Sequence, residues 1–162
     1  MLDPVDLQQL FEVAYSRLVV QLYAICGDMA DAEDAVQDAF VTAIRKRRQL
    51  RDVANPEAWV RTAAVNRVRG GWRHAAVVRR YQPRVPGPQT PVEIGPEHVA
   101  IVTALAQLDV DQRIVVVLHH LVDLGTAEIA AELGIPEGTV KSRLARARAR
   151  LADLLDEEPR HA

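Results

Sequence analysis

Cysteine is all but missing from this chain of 162 residues: Cys26 stands alone, which excludes an internal disulfide and any cysteine-rich zinc site. Lysine is nearly absent too, two residues against eighteen arginines, a bias that points to a GC-rich genome rather than to a function. No run approaches the ~18 consecutive apolar residues of a membrane-spanning helix, so no membrane insertion is expected. The opening Met-Leu-Asp-Pro-Val-Asp has neither a basic n-region nor an apolar h-region, so no secretory signal is expected and a reducing cytoplasm is the expected location. No glycine-rich phosphate loop occurs, and Gly70-Gly71 is not followed by a Walker pattern. What remains is ordinary for a globular chain, 49% hydrophobic and 26% charged, which excludes wholesale disorder.

The net charge of −2 hides a strong pattern. Residues 1–44 sum to −7, 45–84 to +10, 85–138 to −7, 139–150 to +5 and 151–162 to −3. Two separated basic blocks set between acidic ones suggest contact with a polyanion, the bland reading being two solvated arginine faces.

Five of the nine prolines lie between residues 83 and 96. With Gly87 and Gly95, and without an apolar period, Gln82–Gly95 reads as an extended connector. It separates halves of roughly 75 and 65 residues, each small enough for burial alone to leave it marginally stable. The expected division is 1–76, a connector over 77–96, and 97–162.

Both halves read as helices. Asp3-Pro4 is a helix start, and Leu7, Leu10, Phe11, Ala14, Leu18, Leu22 and Ile25 keep helical spacing. Gly27 stops that helix and Asp28 can cap the next. There Ala32, Ala35, Val36, Ala39, Phe40, Ala43 and Ile44 form the apolar period, while Asp31, Glu33, Asp34, Gln37 and Asp38 face away. The basic run Arg45–Arg48 suits the helix C-terminus. Asn55-Pro56-Glu57 starts a third helix with Trp59, Val60, Ala63, Ala64 and Val68 inward and Arg61, Arg67, Arg69 and Arg73 outward, until Gly70-Gly71 weakens the pattern. Beyond the connector, Val99, Val102, Leu105 and Leu108 make one amphipathic segment. Asp111 then caps an apolar helix running through Ile114, Val115, Val117 and Leu118 to Leu121. Sustained β-alternation is absent, so the fold class is all-α: two small helical domains and a flexible proline-rich linker.

The most specific pattern is Thr126–Arg148. A short helix, a turn at Gly134-Ile135-Pro136 and a second helix from Glu137 to about Asp156 describe a helix-turn-helix. Ile129, Leu133, Ile135, Val140 and Leu144 fill its core. The outward face of the second helix carries Lys141, Ser142 and Arg146, with Arg143 and Arg148 further round, side chains able to reach base edges and phosphates in a major groove.

Glu128-Ile-Ala-Ala-Glu-Leu-Gly-Ile-Pro-Glu-Gly-Thr-Val-Lys-Ser-Arg143, followed by Leu-Ala-Arg-Ala-Arg148, resembles domain 4 of the extracytoplasmic-function bacterial sigma factors. Asp31-Ala-Glu-Asp-Ala-Val-Gln-Asp-Ala-Phe40, Ala58-Trp59-Val60 and Ala64-Val65-Asn66-Arg67 are similar to their domain 2. The resemblance covers nearly the whole chain. It implies that Asp31, Asp34, Gln37 and Asp38 dock on the clamp helices of RNA polymerase core, with the flap a second contact. It implies that Thr139, Lys141, Ser142, Arg143, Arg146 and Arg148 serve the −35 element. It implies that the Trp59–Arg73 segment and the loop at about Leu50–Pro56 open the −10 element, through Asn55, Trp59, Arg61, Asn66, Arg67, Arg69, Trp72 and Arg73. An aromatic wedge, an amide and cations along a strand suit that task; Trp59 also fits core packing, and Trp72 is the better stacking candidate. An anti-sigma factor is a frequent partner in the family. This chain departs from the family pattern at Arg69-Gly70-Gly71-Trp72-Arg73, where an acid and paired arginines are common, at Leu108-Asp109 for Leu-Pro, and at Thr126-Ala127 for an aromatic.

No catalytic site, cofactor or metal site is expected. His119 and His120 are adjacent on an apolar helix and point apart, which suits a partly buried structural role. Cys26 reads as a small buried side chain. Taken without the resemblance, the acidic helix fits a solvated face, and the helix-turn-helix fits a transcription regulator that binds operator DNA without polymerase.

Overall fold

The computed structural model describes residues 4–79 and 93–157, and the chain falls into two compact units that divide between Ile94 and Gly95. Most of the segment expected to be a connector, residues 80–92, lies outside the described residues. All regular elements among the described residues are helical.

The first unit packs three helices: α1 (Pro4–Cys26), α2 (Met29–Arg45) and α3 (Pro56–Arg79). Gly27 ends α1 with a positive φ of 74°, a conformation open to glycine at little cost. Asp28 caps α2 as the sequence indicates, its carboxylate accepting the Asp31 amide at 2.9 Å. Ala32, Ala35, Val36, Ala39, Phe40 and Ala43 are buried on α2; Ile44, expected in the same stripe, is 53% exposed at its end. Opposite lie Leu18, Val19, Leu22 and Ile25 of α1 and Val60, Ala64 and Val65 of α3, all essentially inaccessible. The Phe11 ring meets Phe40 edge-on at 4.9 Å, a favoured aromatic geometry. Arg17 of α1 holds Glu57 in the first turn of α3 with two parallel bonds of 2.7 and 2.8 Å, which keep the guanidinium firmly protonated.

Between α2 and α3 the chain makes a turn and a short 3₁₀ segment, Gln49–Asp52, pinned by Leu50 at 1% exposure. Asn55 caps α3, its side-chain oxygen accepting the Ala58 amide at 3.0 Å. The helix then runs through Gly70-Gly71 to Arg79, three residues into the expected connector. Two glycines cost a helix about 1 kcal/mol each but do not stop it, and no proline follows before Pro83.

The second unit holds α4 (Pro96–Leu105), α5 (Val110–Val116), α6 (Thr126–Leu133) and α7 (Glu137–Glu157). Val102, Leu105 and Leu108 are buried, whereas Val99, expected on the same face, is 48% exposed. The α5 cap position is Asp109, not Asp111, which lies inside the first turn. Arg113 reaches back to the carbonyls of Leu105 and Leu108 at 3.0 Å each, satisfying groups that the end of α4 leaves open. α5 widens into a π turn over Val117–Leu121, and the chain reverses at Asp123, whose φ is 66°. Leu121, expected inside, is 47% exposed there because the widened turn rotates it off the α-helical face. Gly134 stands in the left-handed region at φ 66° and sets the turn between α6 and α7. Ile129, Leu133, Val140, Leu144 and Ala147 are buried between these helices and α5. A polar clasp spans the turn: Thr126 Oγ1 donates to Glu137 Oε1 at 2.8 Å. That bond, with Lys141 adding, holds the Glu137 carboxyl below its ordinary value.

Replacing Leu18, fully buried, by alanine should cost the first unit about 2–5 kcal/mol. The same change at Val13, 64% exposed, should stay within about 0.5 kcal/mol; urea unfolding of both variants checks the contrast. For the clasp, a folded-state value below the unfolded one means stabilisation present above the ordinary glutamate range and lost as pH falls through the lowered value. Thr126→Val should raise the Glu137 titration midpoint towards its ordinary value in carboxyl-carbon NMR and remove that acid-side loss. A midpoint unmoved by the substitution would assign the shift elsewhere.

Candidate nucleic-acid and polymerase interfaces

The acidic shoulder of α2 is not a free face. Asp31, Glu33, Asp34, Gln37 and Asp38 are all half-buried. Gln37 Nε2 donates to the Tyr15 hydroxyl at 3.1 Å. Burial, with Glu33 and Asp34 adding, raises that phenol above its ordinary value despite the bond from Gln37. Asp38 forms an ion pair of 2.6 Å with Arg67 of α3. The expected polymerase-docking helix and the expected −10 helix therefore share a side-chain contact, which no sequence period revealed.

On α3 the expected site residues separate. Asn66 is exposed and its side-chain oxygen takes a long bond of 3.4 Å from Arg69. Arg67 is turned towards Asp38. Trp59 is half-buried, consistent with its expected packing role. Arg61 departs from expectation: only 6% exposed, it cannot lie along a strand as an outward cation. Position 61 falls between Val60, Ala64, Val65 and Val68, inside the wide stripe that a core-facing helix buries. Asn55 spends its side-chain oxygen on the α3 cap. The side chains of Trp72 and Arg73 lie outside the described residues. The run Arg45, Lys46, Arg47 and Arg48, with Arg51, is exposed throughout.

On α7, Lys141, Ser142, Arg146 and Arg148 are exposed along one side of a helix whose other side is the core. Thr139 is half-buried in the first turn, and its carbonyl accepts the Ser142 hydroxyl at 3.1 Å. Lys141 leans on Glu137 at 3.6 Å, a pair so exposed that it contributes little. Arg143 differs from its neighbours: a quarter exposed, it faces Asp111 of α5 at 3.9 Å, so part of its charge is answered within the unit.

The adjacent histidines do not point apart. The π turn brings the rings together, centroids 4.7 Å apart and nearly perpendicular. His119 is half-buried and its Nδ1 lies 2.8 Å from the Leu124 carbonyl; a carbonyl only accepts, so Nδ1 carries the proton. Burial, then His119, then Arg148 lower the His120 value, which keeps that exposed ring neutral near neutral pH. Among the described residues no three His, Cys, Asp or Glu side chains converge as metal ligands, and no helix is long and apolar enough to cross a membrane.

An acidic-shouldered three-helix unit followed by a helix-turn-helix with a cationic outer face can bind a basic protein surface and a polyanion at once. Comparison with known proteins agrees with that pairing. Residues 10–77 match the Sigma-70 region 2 family and residues 98–151 match Sigma-70, region 4. The ECF RNA polymerase sigma factor SigL of Mycobacterium tuberculosis is 38% identical over 127 residues, covering 74% of this chain and 72% of SigL. SigM of the same organism is 39% identical over 129 residues, 77% of this chain and 64% of SigM. The sigma factor RpoE of Bartonella quintana, solved with the anti-sigma factor NepR, superposes with a TM-score of 0.73 at 25% identity over 94% of this chain and 98% of RpoE. The N-terminal unit, which a conventional operator-binding regulator would use for dimerisation or sensing, matches region 2 instead. The chain belongs to the sigma-70 family, among the extracytoplasmic-function RNA polymerase sigma factors.

Proposed function

We propose that promoter recognition by this sigma factor is divided between its two units, 1–76 and 97–162, with 77–96 between them. Asp31, Asp34 and Asp38, aided by Gln37, dock on the clamp helices of RNA polymerase core, and the second unit meets the flap. Lys141, Ser142 and Arg146 read −35 bases from α7, with Thr139 at its first turn and Arg143 and Arg148 nearer phosphates. Asn66, Arg67, Arg69, Trp72 and Arg73 receive the opened −10 strand, with Asn55 and Trp59 near the loop that holds an unpaired base. Arg61, inside the bundle, supports the helix rather than the strand. Opening needs no bond-breaking by this chain, because captured unpaired bases supply the free energy; the reading gives it no catalytic role and places it with the polymerase in the cytoplasm. RpoE is held by an anti-sigma factor, and an inhibitor of that kind is the expected partner here.

The observation that carries this reading is the presence in one chain of an acidic-shouldered region 2 bundle and a region 4 helix exposing Lys141, Ser142, Arg146 and Arg148. Transcription from a promoter library, with core polymerase alone and with the chain added, tests it. New start sites should appear only with both. A chain that instead bound duplex operator DNA alone and added no transcription would restore the regulator reading.

Two substitutions separate the surfaces. Asp34→Lys leaves the Asp38–Arg67 pair in place and should weaken core binding by about tenfold, about 1.4 kcal/mol, at unchanged helical content; an unaltered titration curve would remove α2 from the interface. Arg146→Ala, assayed in the holoenzyme, should lose about 1–3 kcal/mol of discrimination at one or two base positions. Arg148→Ala should instead weaken all sequences alike and lower the salt dependence by about one phosphate contact. A uniform loss from Arg146→Ala, with sequence preference intact, would move base reading to another side chain.

A further inference from the structure

Tyr15 is a polar residue in an apolar place. It is 4% exposed on α1, and a buried hydroxyl without a partner costs free energy. Its ring lies against Phe11, centroids 4.8 Å apart, and Phe11 is set edge-on against Phe40 of α2. Rings packed on one another have little freedom, so the Tyr15 hydroxyl stands at a fixed point beside α2.

Gln37 takes that point. Its Nε2 donates to the Tyr15 hydroxyl oxygen at 3.1 Å, a part-buried bond between positions twenty-two residues apart. Glutamine carries one of the larger side-chain entropies, and a bond to a rigid phenol removes that freedom before any partner arrives. The bond also decides which end of the amide is offered. Oxygen and nitrogen diverge from one carbon, so a donor spent on Tyr15 leaves the oxygen, an acceptor, turned away from the phenol.

The neighbours make that choice matter. Asp34 lies three residues before Gln37 and Asp38 one after it, all half-buried. Glu33 and Asp34 are near enough for their charges to add to burial in raising the phenol value. An amide free to swing would turn its NH2 end onto a neighbouring carboxylate, a pairing that helices accept at a spacing of three. It would then answer an acid within the chain and set a donor into a row of acceptors. Tied to Tyr15, the same amide extends the row: carboxylate, amide oxygen, carboxylate. Such a row matches a surface of cationic donors. Asp38 is braced in the same manner from another helix, by Arg67 of α3 at 2.6 Å.

We infer that Tyr15 is a positioning residue for polymerase docking: its buried hydroxyl holds the donor end of Gln37 and so presents the amide oxygen, between Asp34 and Asp38, to a cationic surface of the core. The inference rests on the docking of Asp34, Gln37 and Asp38 proposed above. Tyr15 has almost no surface of its own to offer a partner, so its effect passes through Gln37.

The test is a titration of core polymerase with the full chain in four forms: wild type, Tyr15→Phe, Gln37→Ala and the double variant. Tyr15→Phe keeps the ring against Phe11 and removes only the hydroxyl. It should weaken binding about three- to tenfold, the scale of one hydrogen bond. Gln37→Ala should weaken it at least as much. The double variant should bind like Gln37→Ala, within about twofold, because a hydroxyl without its glutamine has nothing to hold. A merely structural role for Tyr15 gives the opposite result, a loss through the bundle that adds in full to the loss from Gln37→Ala. Additive losses overturn the inference, as does a Tyr15→Phe variant that binds core like wild type when Gln37→Ala does not. NMR of the free chain supplies a readout independent of polymerase. The Gln37 side-chain amide, identified by its absence from Gln37→Ala, should exchange its protons with water faster in Tyr15→Phe. Unchanged exchange would mean that the phenol does not hold it, and would also overturn the inference. If Gln37→Ala leaves core affinity intact, the docking of Gln37 itself fails and the inference goes with it, whatever Tyr15→Phe does.

Discussion

The narrow alanine-rich stripe of α2 is the contact on which the first unit depends. Ala32, Ala35, Ala39 and Ala43 have little side chain to hold two neighbours apart, so α1 and α3 both close on the same helix. Close approach has two results. It half-buries the acids on the shoulders of the stripe, and it brings Asp38 within an ion pair of Arg67. α2 ends at Arg45, and Leu50 returns the chain to the core. The half-burial of the α2 acids and the Asp38–Arg67 contact are thus consequences of one packing arrangement.

In the second unit one helix does both jobs. Val140, Leu144 and Ala147 of α7 are buried at a spacing of three and four residues, which leaves the intervening positions facing outward. Lys141, Ser142, Arg146 and Arg148 take those positions. The angle at which this face is presented is set by the left-handed Gly134 and by the Thr126–Glu137 clasp, since each lies at the junction with α6. Arg143, spent partly on Asp111, ties α7 to α5 and is less available to DNA than its neighbours.

Most of the helices were legible because their signals are local: the Asp28 and Asn55 caps, the glycines at 27 and 134, and stripes repeating every three or four residues. Ile44 and Val99 fit an apolar period but fall at helix ends, where the neighbour that would cover them has run out, and Leu121 is turned out by the π turn. Residue type puts Arg61 outside, whereas its position between Val60 and Val65 decides its burial. The histidine rings meet because α5 widens into a π turn, which shifts the angular step between residues. The Asp38–Arg67 pair joins positions twenty-nine residues apart on different helices, and no periodicity reports such a contact.

Composition constrains how an opened strand can be held. Seven aromatic residues are present in the whole chain. Phe11, Tyr15 and Phe40 are engaged with one another between α1 and α2, and Trp59 is half-buried. Opening a base-pair step costs about 1.4 kcal/mol on average, and stacking one freed base on an aromatic returns about 1–3 kcal/mol. With so few rings to offer, stacking offsets the opening of only one or two steps. On the function proposed above, the remainder falls to charge, in which the segment from Arg45 to Arg73 is rich. Strand capture built this way is governed by the release of counterions, so it depends on ionic strength more steeply than capture by an aromatic platform. It also distinguishes single strands by their path over the cations more than by their bases. On the function proposed above, sequence discrimination is then left to a few groups, the Asn66 amide on α3 and the exposed face of α7, while the remaining arginines add affinity without reading a base.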